Sequence, residues 1–441
     1  MGVDREEGGR SLQRGERLRI AYFVDEFPPF FRGGLGTYAM EITRQFVRGG
    51  HTVTVFSRNN GSDPTRDIWE GVEVHRPLLM DMSDVLSILN QGDVRRWDEG
   101  GQRFYQETLL YNFLSASKLV NNLVPLEKRA FDVIISHDWL SAPGGIVAKR
   151  NLSRPFVFHF HSTEEGRTSD GSETVKQIER LAAEHADLIV TVSYAMRDEL
   201  IRLGYQEAKI RVVYNGVDPR KYDPERFPEE EISRFRNAMG AGDDPMIFFI
   251  GRLTWVKGID MLLMAMPTIV REFPEAKLVI LGKGDMEPLI THIIYSLHLE
   301  KNVITNFSYV SEEERLKYYA ACDIAVFPSK YEPFGIVCTE AMAMGKPVVV
   351  GARGTSGLRE QVVVTGPGQN GFHINPFDPE DIAKFTLLLL NDRDLRRRFG
   401  ANGRRRVLEQ FTWEKVSDAT IKVYEEAIER HHGRAPEVVA G

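Results

Sequence analysis

Two acids, Glu332 and Glu340, and two cations, Arg252 and Lys257, are the side chains whose type and setting most demand a chemical explanation. The acids lie in Tyr331-Glu332-Pro333-Phe334-Gly335-Ile336-Val337-Cys338-Thr339-Glu340-Ala341-Met342-Ala343-Met344-Gly345-Lys346-Pro347. Pro333 suits a first helical position, Gly345 suits an end, and Pro347 forbids continuation, so the spacing predicts a helix bounded by those residues. Nearly every side chain between them is apolar, which marks a helix buried on most sides and makes Glu340 an ionisable group in a place that excludes charge. Such a carboxylate requires a partner, either a buried Arg or Lys or a ring of ligand hydroxyls.

The cations follow an apolar run. Met246-Ile247-Phe248-Phe249-Ile250 reads as a parallel strand covered on both faces, and Gly251-Arg252-Leu253-Thr254-Trp255-Val256-Lys257-Gly258 continues past its carboxyl end. In open α/β sheets that edge is where ligands bind. Two cations beside glycines that permit close backbone approach suit a diphosphate, whereas a solvated pair of surface charges is the plainer alternative.

The first half of the chain offers a second set. A strand over 18–24 leads into Arg32-Gly33-Gly34-Leu35-Gly36-Thr37-Tyr38 and a helix running to about Arg48. Amides of Gly34 and Leu35 at that helix start could hold a phosphate, or the segment is an ordinary strand-to-helix turn. The glycine spacing is not that of a dinucleotide fingerprint, which argues against a nicotinamide cofactor. In Phe158-His159-Phe160-His161, strand alternation puts the phenylalanines on one face and the histidines on the other, with His161 last, at the edge where ligands gather. His137-Asp138-Trp139 follows a strand over 133–136 at the same edge.

Positioning these residues requires two α/β units. Short β-like runs alternate with longer helical patterns, first at 18–24, 52–56, 72–76, 133–136, 156–161, 188–192 and 211–214, then at 247–250, 277–281, 303–306, 323–328 and 347–350. The expected organisation is an arm over 1–17 with no apolar core, a first Rossmann-like domain over 18–218, a Pro-, Glu- and Arg-rich hinge over 219–245, a second Rossmann-like domain over 246–410, an amphipathic helix over 411–430 and a loose tail over 431–441. A chain of 441 residues exceeds one ordinary core. A net charge of −7 gives no broad basic footprint for nucleic acid, and no run approaches the ~20 apolar residues of a membrane span. Residues 1–17 read as neither signal peptide nor anchor. Cys322 and Cys338, the only cysteines, suggest neither a disulfide framework nor a zinc site, so a cytoplasmic location fits.

Taken together, Gly-Arg-Leu-(x)3-Lys-Gly followed by Glu-Pro-Phe-Gly-(x)4-Glu-Ala resembles the donor site of the retaining glycosyltransferases with two facing Rossmann-like domains (GT-B fold), the group of glycogen and starch synthases, sucrose-phosphate synthases and phosphoinositol glycosyltransferases. The resemblance runs from about 18 to about 426 and is most specific in the second half. It implies a deep cleft between the domains and a C-terminal helix that returns to the first. It implies that Glu332 binds donor-sugar hydroxyls, that amides from Phe334, Gly335, Ile336 and Val337 hold sugar and phosphate near Gly251, and that Glu340 takes the ribose hydroxyls. His161 would contact the donor sugar, and Asp138 would border the acceptor. The Gly33-Gly34-Leu35 turn matches a Gly-Gly-Leu turn that glycogen synthases usually precede with Lys, and Arg32 stands near that place instead. No divalent metal is obligatory in the group, and Asp392-Arg393-Asp394 reads as a solvated surface rather than a metal clamp.

The chemistry is then charge stabilisation. Breaking a sugar–diphosphate bond builds negative charge on the leaving group, and Arg252 and Lys257 are the residues expected to meet it. The expected reaction transfers a hexose, glucose foremost, from ADP-glucose or UDP-glucose to a soluble carbohydrate acceptor such as an α-1,4-glucan, with no obligatory cofactor, nucleic-acid partner or integral membrane association. Sucrose- or trehalose-type synthesis, inositol phosphate and lipid carriers are alternative acceptor chemistries. A nucleotide-sugar epimerase and a non-catalytic sugar-nucleotide-binding protein share the architecture. Oligomeric state is not readable from the sequence.

Overall fold

A computed structural model of the protein describes residues 16–29, 33–90, 92–168 and 171–433. Arg32, most of the arm over 1–17 and residues 434–441 of the expected tail lie outside them. The chain divides into two units, one comprising residues 1–191, 204–213 and 417–441, the other 192–203 and 214–416.

The first unit is built on an eight-stranded sheet of β1 (Arg19–Phe23), β2 (Thr52–Phe56), β3 (Arg66–Trp69), β4 (Val72–His75), β5 (Val133–His137), β6 (Phe156–Phe160), β7 (Leu188–Thr191) and β8 (Ile210–Val212), in the order β3-β4-β2-β1-β5-β6-β7-β8. All neighbours are parallel except β3 and β4. The central strands are buried along their length, which is why they read as continuous apolar runs. β3 was not expected. Its residues Arg-Asp-Ile-Trp are largely exposed at the sheet edge, so burial leaves no apolar run to read.

The second unit carries a six-stranded parallel sheet, β9 (Met246–Ile250), β10 (Lys277–Leu281), β11 (Val303–Asn306), β12 (Ile324–Phe327), β13 (Val348–Gly351) and β14 (Gly371–Ile374), in the order β11-β10-β9-β12-β13-β14. The edge strand β14, Gly-Phe-His-Ile, escaped sequence reading because it is short, half-buried and interrupted by Gly371 and His373. Among the parallel strands of each sheet the order reverses at one place, between β1 and β5 and between β9 and β12. Ligands of open α/β sheets lie beyond the strand ends at such a switch. Every candidate residue singled out above follows one of those strands or the neighbouring β6.

Three boundaries differ from expectation. Residues 219–245 are part of the second unit rather than a free hinge: Glu229–Ala238 is a helix whose Phe235 packs edge-on against Tyr318 at 5.0 Å, and Arg236 donates to the carbonyls of Ala321 and Asp244. Helix Tyr194–Arg202, expected with the first domain, belongs to the second unit, where its Ala195 amide donates to Glu360 Oε1 at 2.7 Å. The C-terminal helix spans Trp413–Gly433 rather than 411–430. Phe411 and Thr412 are held extended by pairing with Val217, and the far end carries three basic side chains, Arg430, His431 and His432, that suit a helix C-terminus. From residue 417 this helix belongs to the first unit, where Tyr424 is buried and Glu426 pairs with Arg211 at 2.5 Å. Among the described residues no helix is long and apolar enough to cross a membrane.

Candidate functional site

In the second unit the turn after β9 and the turn after β12 are laced together. Gly258 has φ +69 and lies so close to Pro328 that a Cβ would stand 2.0 Å from its carbonyl oxygen, so only glycine fits. The amides of Lys330 and Tyr331 donate to the Val256 carbonyl at 2.8 and 3.3 Å. This lacing brings Lys257 Nζ to 2.5 Å from Glu332 Oε2, with the Ser329 hydroxyl donating to the same oxygen at 3.3 Å. The side chains are 20% and 10% exposed, enough for a ligand to reach the pair without bulk water screening it. An ammonium has three donors, and one faces Glu332.

Lys330, which sequence reasoning missed, is more deeply buried than Lys257. It donates to Asp260 Oδ2 at 2.8 Å and lies 4.4 Å from the Trp255 ring centroid, so it braces the turn from beneath. Arg252 is exposed and makes no ion pair among the described residues.

The acid-bearing helix is shorter than its flanking prolines suggest. It spans Ile336–Ala343, so Pro333 is not its first residue. Glu332 is instead extended: its amide donates to Thr355, its carbonyl accepts from Gly357, and it bridges Ser356. Gly335, with φ +89, makes the corner, where a Cβ would meet Leu358 Cδ2 at 2.5 Å. Phe334 is buried, with its carbonyl held by Gln361 Nε2 at 2.7 Å, while Ile336 and Val337 at the helix start are half-exposed. Gly345, at φ +68, ends the segment as expected.

Glu340 is buried, as its apolar surroundings require; its direct hydrogen bonds come from two tyrosines, and an arginine, one of the expected kinds of partner, stands at ion-pair distance. Tyr222 and Tyr319 hydroxyls donate to Oε1 and Oε2, each at 2.6 Å, and the Arg315 guanidinium stands at 4.0 Å while donating to the Tyr222 oxygen at 2.9 Å. Burial, and then the Glu340 charge, raises both phenols far above their ordinary value, so both remain donors. Each carboxylate oxygen has a second lone pair, so this network orients Glu340 without exhausting it. No local pattern in the sequence pairs Tyr222 with Glu340, since they lie far apart in the chain.

In the first unit, Gly33 caps helix Gly34–Arg48 in an extended conformation with no side-chain cap, Gly34 is exposed and Leu35 half-buried. One turn along, Tyr38 packs edge-on against His161 at 4.6 Å. His161 lies just past β6, and its amide donates to Asp138 Oδ1 at 2.7 Å. Asp138 is buried with φ +50, a left-handed conformation that costs energy outside glycine and concentrates at functional sites. Its carboxylate ties the end of β5 to the end of β6. His137, named in the sequence only as the neighbour of Asp138, completes the cluster: its Nδ1 lies 3.0 Å from His161 Nε2, and ligand atoms of His137, His159 and His161 all lie within 4.8 Å of one another. Burial lowers the pKa of all three imidazoles, so they are neutral near pH 7. Asp392 caps helix Arg393–Gln410 and Asp394 is exposed. The two cysteines are buried free thiols.

Residues 32–221 match the model of Glycosyltransferase Family 4 and residues 231–406 that of Glycosyl transferases group 1. An uncharacterized glycosyltransferase of Methanocaldococcus jannaschii is 33% identical over 419 residues, covering 93% of this chain and 99% of the relative. Glycogen synthase of Mycobacterium tuberculosis is 29% identical over 419 residues, covering 92% and 94%. The solved sucrose-phosphate synthase from Thermosynechococcus elongatus superposes with a TM-score of 0.73 at 23% identity, over 93% of this chain and 99% of that one, a likeness that shows the GT-B fold of two Rossmann-like domains. With both halves matched and a relative of full length at this identity, the chain belongs to the group 1, family 4 glycosyltransferases.

Proposed function

We propose that this glycosyltransferase moves glucose, with retention at the anomeric carbon, from ADP-glucose or UDP-glucose to a soluble carbohydrate acceptor, an α-1,4-glucan first among them. The observation that carries the reading is the Lys257–Glu332 pair at the switch between β9 and β12. A carboxylate and an ammonium side by side offer acceptors for sugar hydroxyls and donors for the adjoining phosphate, the two halves of an activated hexose. Arg252, exposed and without an ion pair among the described residues, adds a second cation for the diphosphate. As the sugar–oxygen bond breaks and the diphosphate leaves with the electron pair, Lys257, already held in place beside Glu332, meets the growing negative charge with little reorganisation, and Arg252 adds to it. Gly251 and the backbone from Phe334 to Val337 leave room for the phosphates, and Glu340 takes the ribose. Gly33, Gly34 and Leu35, with His161 and Asp138, serve the sugar and acceptor side. The glucan acceptor is favoured by the full-length likeness to glycogen synthase. Two buried free thiols suit a reducing cytoplasm.

The test offers the purified chain ADP-glucose and UDP-glucose in turn, each with glycogen, fructose phosphate and inositol phosphate. Released nucleotide and the anomeric form of the product are measured. Transfer to glycogen with an α-linkage is expected. Transfer only to a phosphorylated acceptor would replace the glucan, donor conversion without acceptor would mark an epimerase, and no consumption of either donor would overturn the reading.

A further inference from the structure

We propose that His137 is a positioning residue that fixes His161 in its Nδ1–H tautomer, so that His161 meets an oxygen of the sugar nucleotide as a hydrogen-bond donor. The inference rests on the sugar-nucleotide reading of the site only for the identity of that oxygen.

The argument starts from sheet register. β5 and β6 are adjacent and parallel with His137 opposite His159, so His161, two residues on, lies on the same face just beyond the strand. His137 Nδ1 and His161 Nε2 are 3.0 Å apart, and His137 Nε2 is buried with no hydrogen-bond partner among the described residues. A bond between two neutral imidazoles has one proton, which sits on one side or the other. If His161 donated it from Nε2, the remaining proton of His137 would sit on Nε2, a buried N–H with no acceptor. If His137 donates from Nδ1, Nε2 carries only a lone pair. Orphaned buried N–H groups are the rarer and costlier of the two, so His137 is the donor. His161 then accepts at Nε2 and carries its own proton on Nδ1.

The surroundings hold this arrangement. The His161 amide is pinned to Asp138 Oδ1 at 2.7 Å and its ring lies against Tyr38. His159 is engaged elsewhere, its Nε2 lying 3.1 Å from the Tyr424 hydroxyl on the C-terminal helix, so it does not compete for His161. His161 is the half-exposed member of the three, and its Nδ1–H is the donor left for a ligand.

Long-range 15N–1H spectra of the full chain labelled at histidine distinguish protonated from bare ring nitrogens. With His161 assigned by His161→Gln, the wild type is expected to show the Nδ1–H pattern. His137→Leu is expected to shift His161 toward Nε2–H and to lower kcat/KM about 10- to 100-fold, the usual effect of removing an orienting partner. His137→Asn, whose amide can donate from nearly the same place, is expected to restore both the pattern and activity to within about threefold. A wild-type Nε2–H pattern, an unchanged pattern in His137→Leu, or stoichiometric zinc on the purified protein held by the three imidazoles would overturn the proposal. An Nδ1–H pattern that responds to His137→Leu but to neither ADP-glucose nor UDP-glucose would leave the tautomer lock standing and count against the sugar-nucleotide reading instead.

Discussion

At the scale of residues, the two acids do different work. Glu332 is paired with Lys257 at a half-open edge, whereas Glu340 is buried and held by two phenols. Lys257→Ala leaves the Glu332 carboxylate, 10% exposed, without its cation, and is expected to cost about 3 kcal/mol of stability and to lower transfer about a thousandfold. Glu332→Gln keeps shape and is expected to lose transfer with a smaller stability cost. Urea midpoints and nucleotide release measure both, and a Lys257→Ala enzyme that transfers at the wild-type rate removes Lys257 from the chemistry. Tyr222→Phe and Tyr319→Phe each delete a hydrogen bond to a buried carboxylate, so each is expected to destabilise by roughly 1.5–3 kcal/mol. Because they share one acceptor group, the double variant should not be additive. Single losses under about 0.5 kcal/mol would show that Glu340 finds other donors. The type and spacing of Glu332, Glu340 and Lys257 were legible from local pattern. The partners of Glu340, Tyr222 and Tyr319, were not, because contacts across long sequence separation leave no local period.

At the scale of elements, turns rather than helices set the site. Gly335 occupies φ +89 against Leu358 and Glu332, so Gly335→Ala combines backbone strain with overlap. It is expected to cost about 2–3 kcal/mol and to weaken nucleotide binding, read by thermal unfolding with and without ADP or UDP. Unchanged melting would mean the corner tolerates a side chain. The C-terminal helix is the second case. Ending the chain at residue 416 removes Tyr424 from Phe46 and His159 and breaks the Arg211–Glu426 pair. The shortened first unit is expected to aggregate or melt well below the full chain in calorimetry, and an unaltered melting temperature would show the helix dispensable. The helix's existence and amphipathic character were readable at 411–430. Its true limits were not, because they follow from the pairing of Phe411 and Thr412 with Val217.

At the scale of the whole molecule, buried ionisable groups couple stability to pH in opposite directions. The pKa values of His137, His159 and His161 are lowered by burial, so the unfolded chain takes up protons first as pH falls below about 6.5. Stability present above that value is therefore expected to fall on acidification, by up to about 1.4 kcal/mol per pH unit for each imidazole. Urea unfolding between pH 7.5 and 5 measures this, and His137→Leu should flatten the slope; an equal slope in the variant would exclude His137 as a source. Glu179 runs the other way. Burial raises its pKa to about 8, so its contribution is full below its unfolded value near 4.5 and is lost as pH rises through 8.

The two α/β units, the β9 and β12 strands and the chemical types of the acids and cations are legible in residue order alone, because buried parallel strands must be apolar throughout and charges within or just beyond such runs stand out. Folding alone settles which strands lie side by side, and so which loops share a switch point. The same packing turns Glu340 toward tyrosines, holds Glu332 extended rather than helical, and brings a second histidine to His161. Each of those depends on packing between segments distant in the chain, where one ångström separates a hydrogen bond from none.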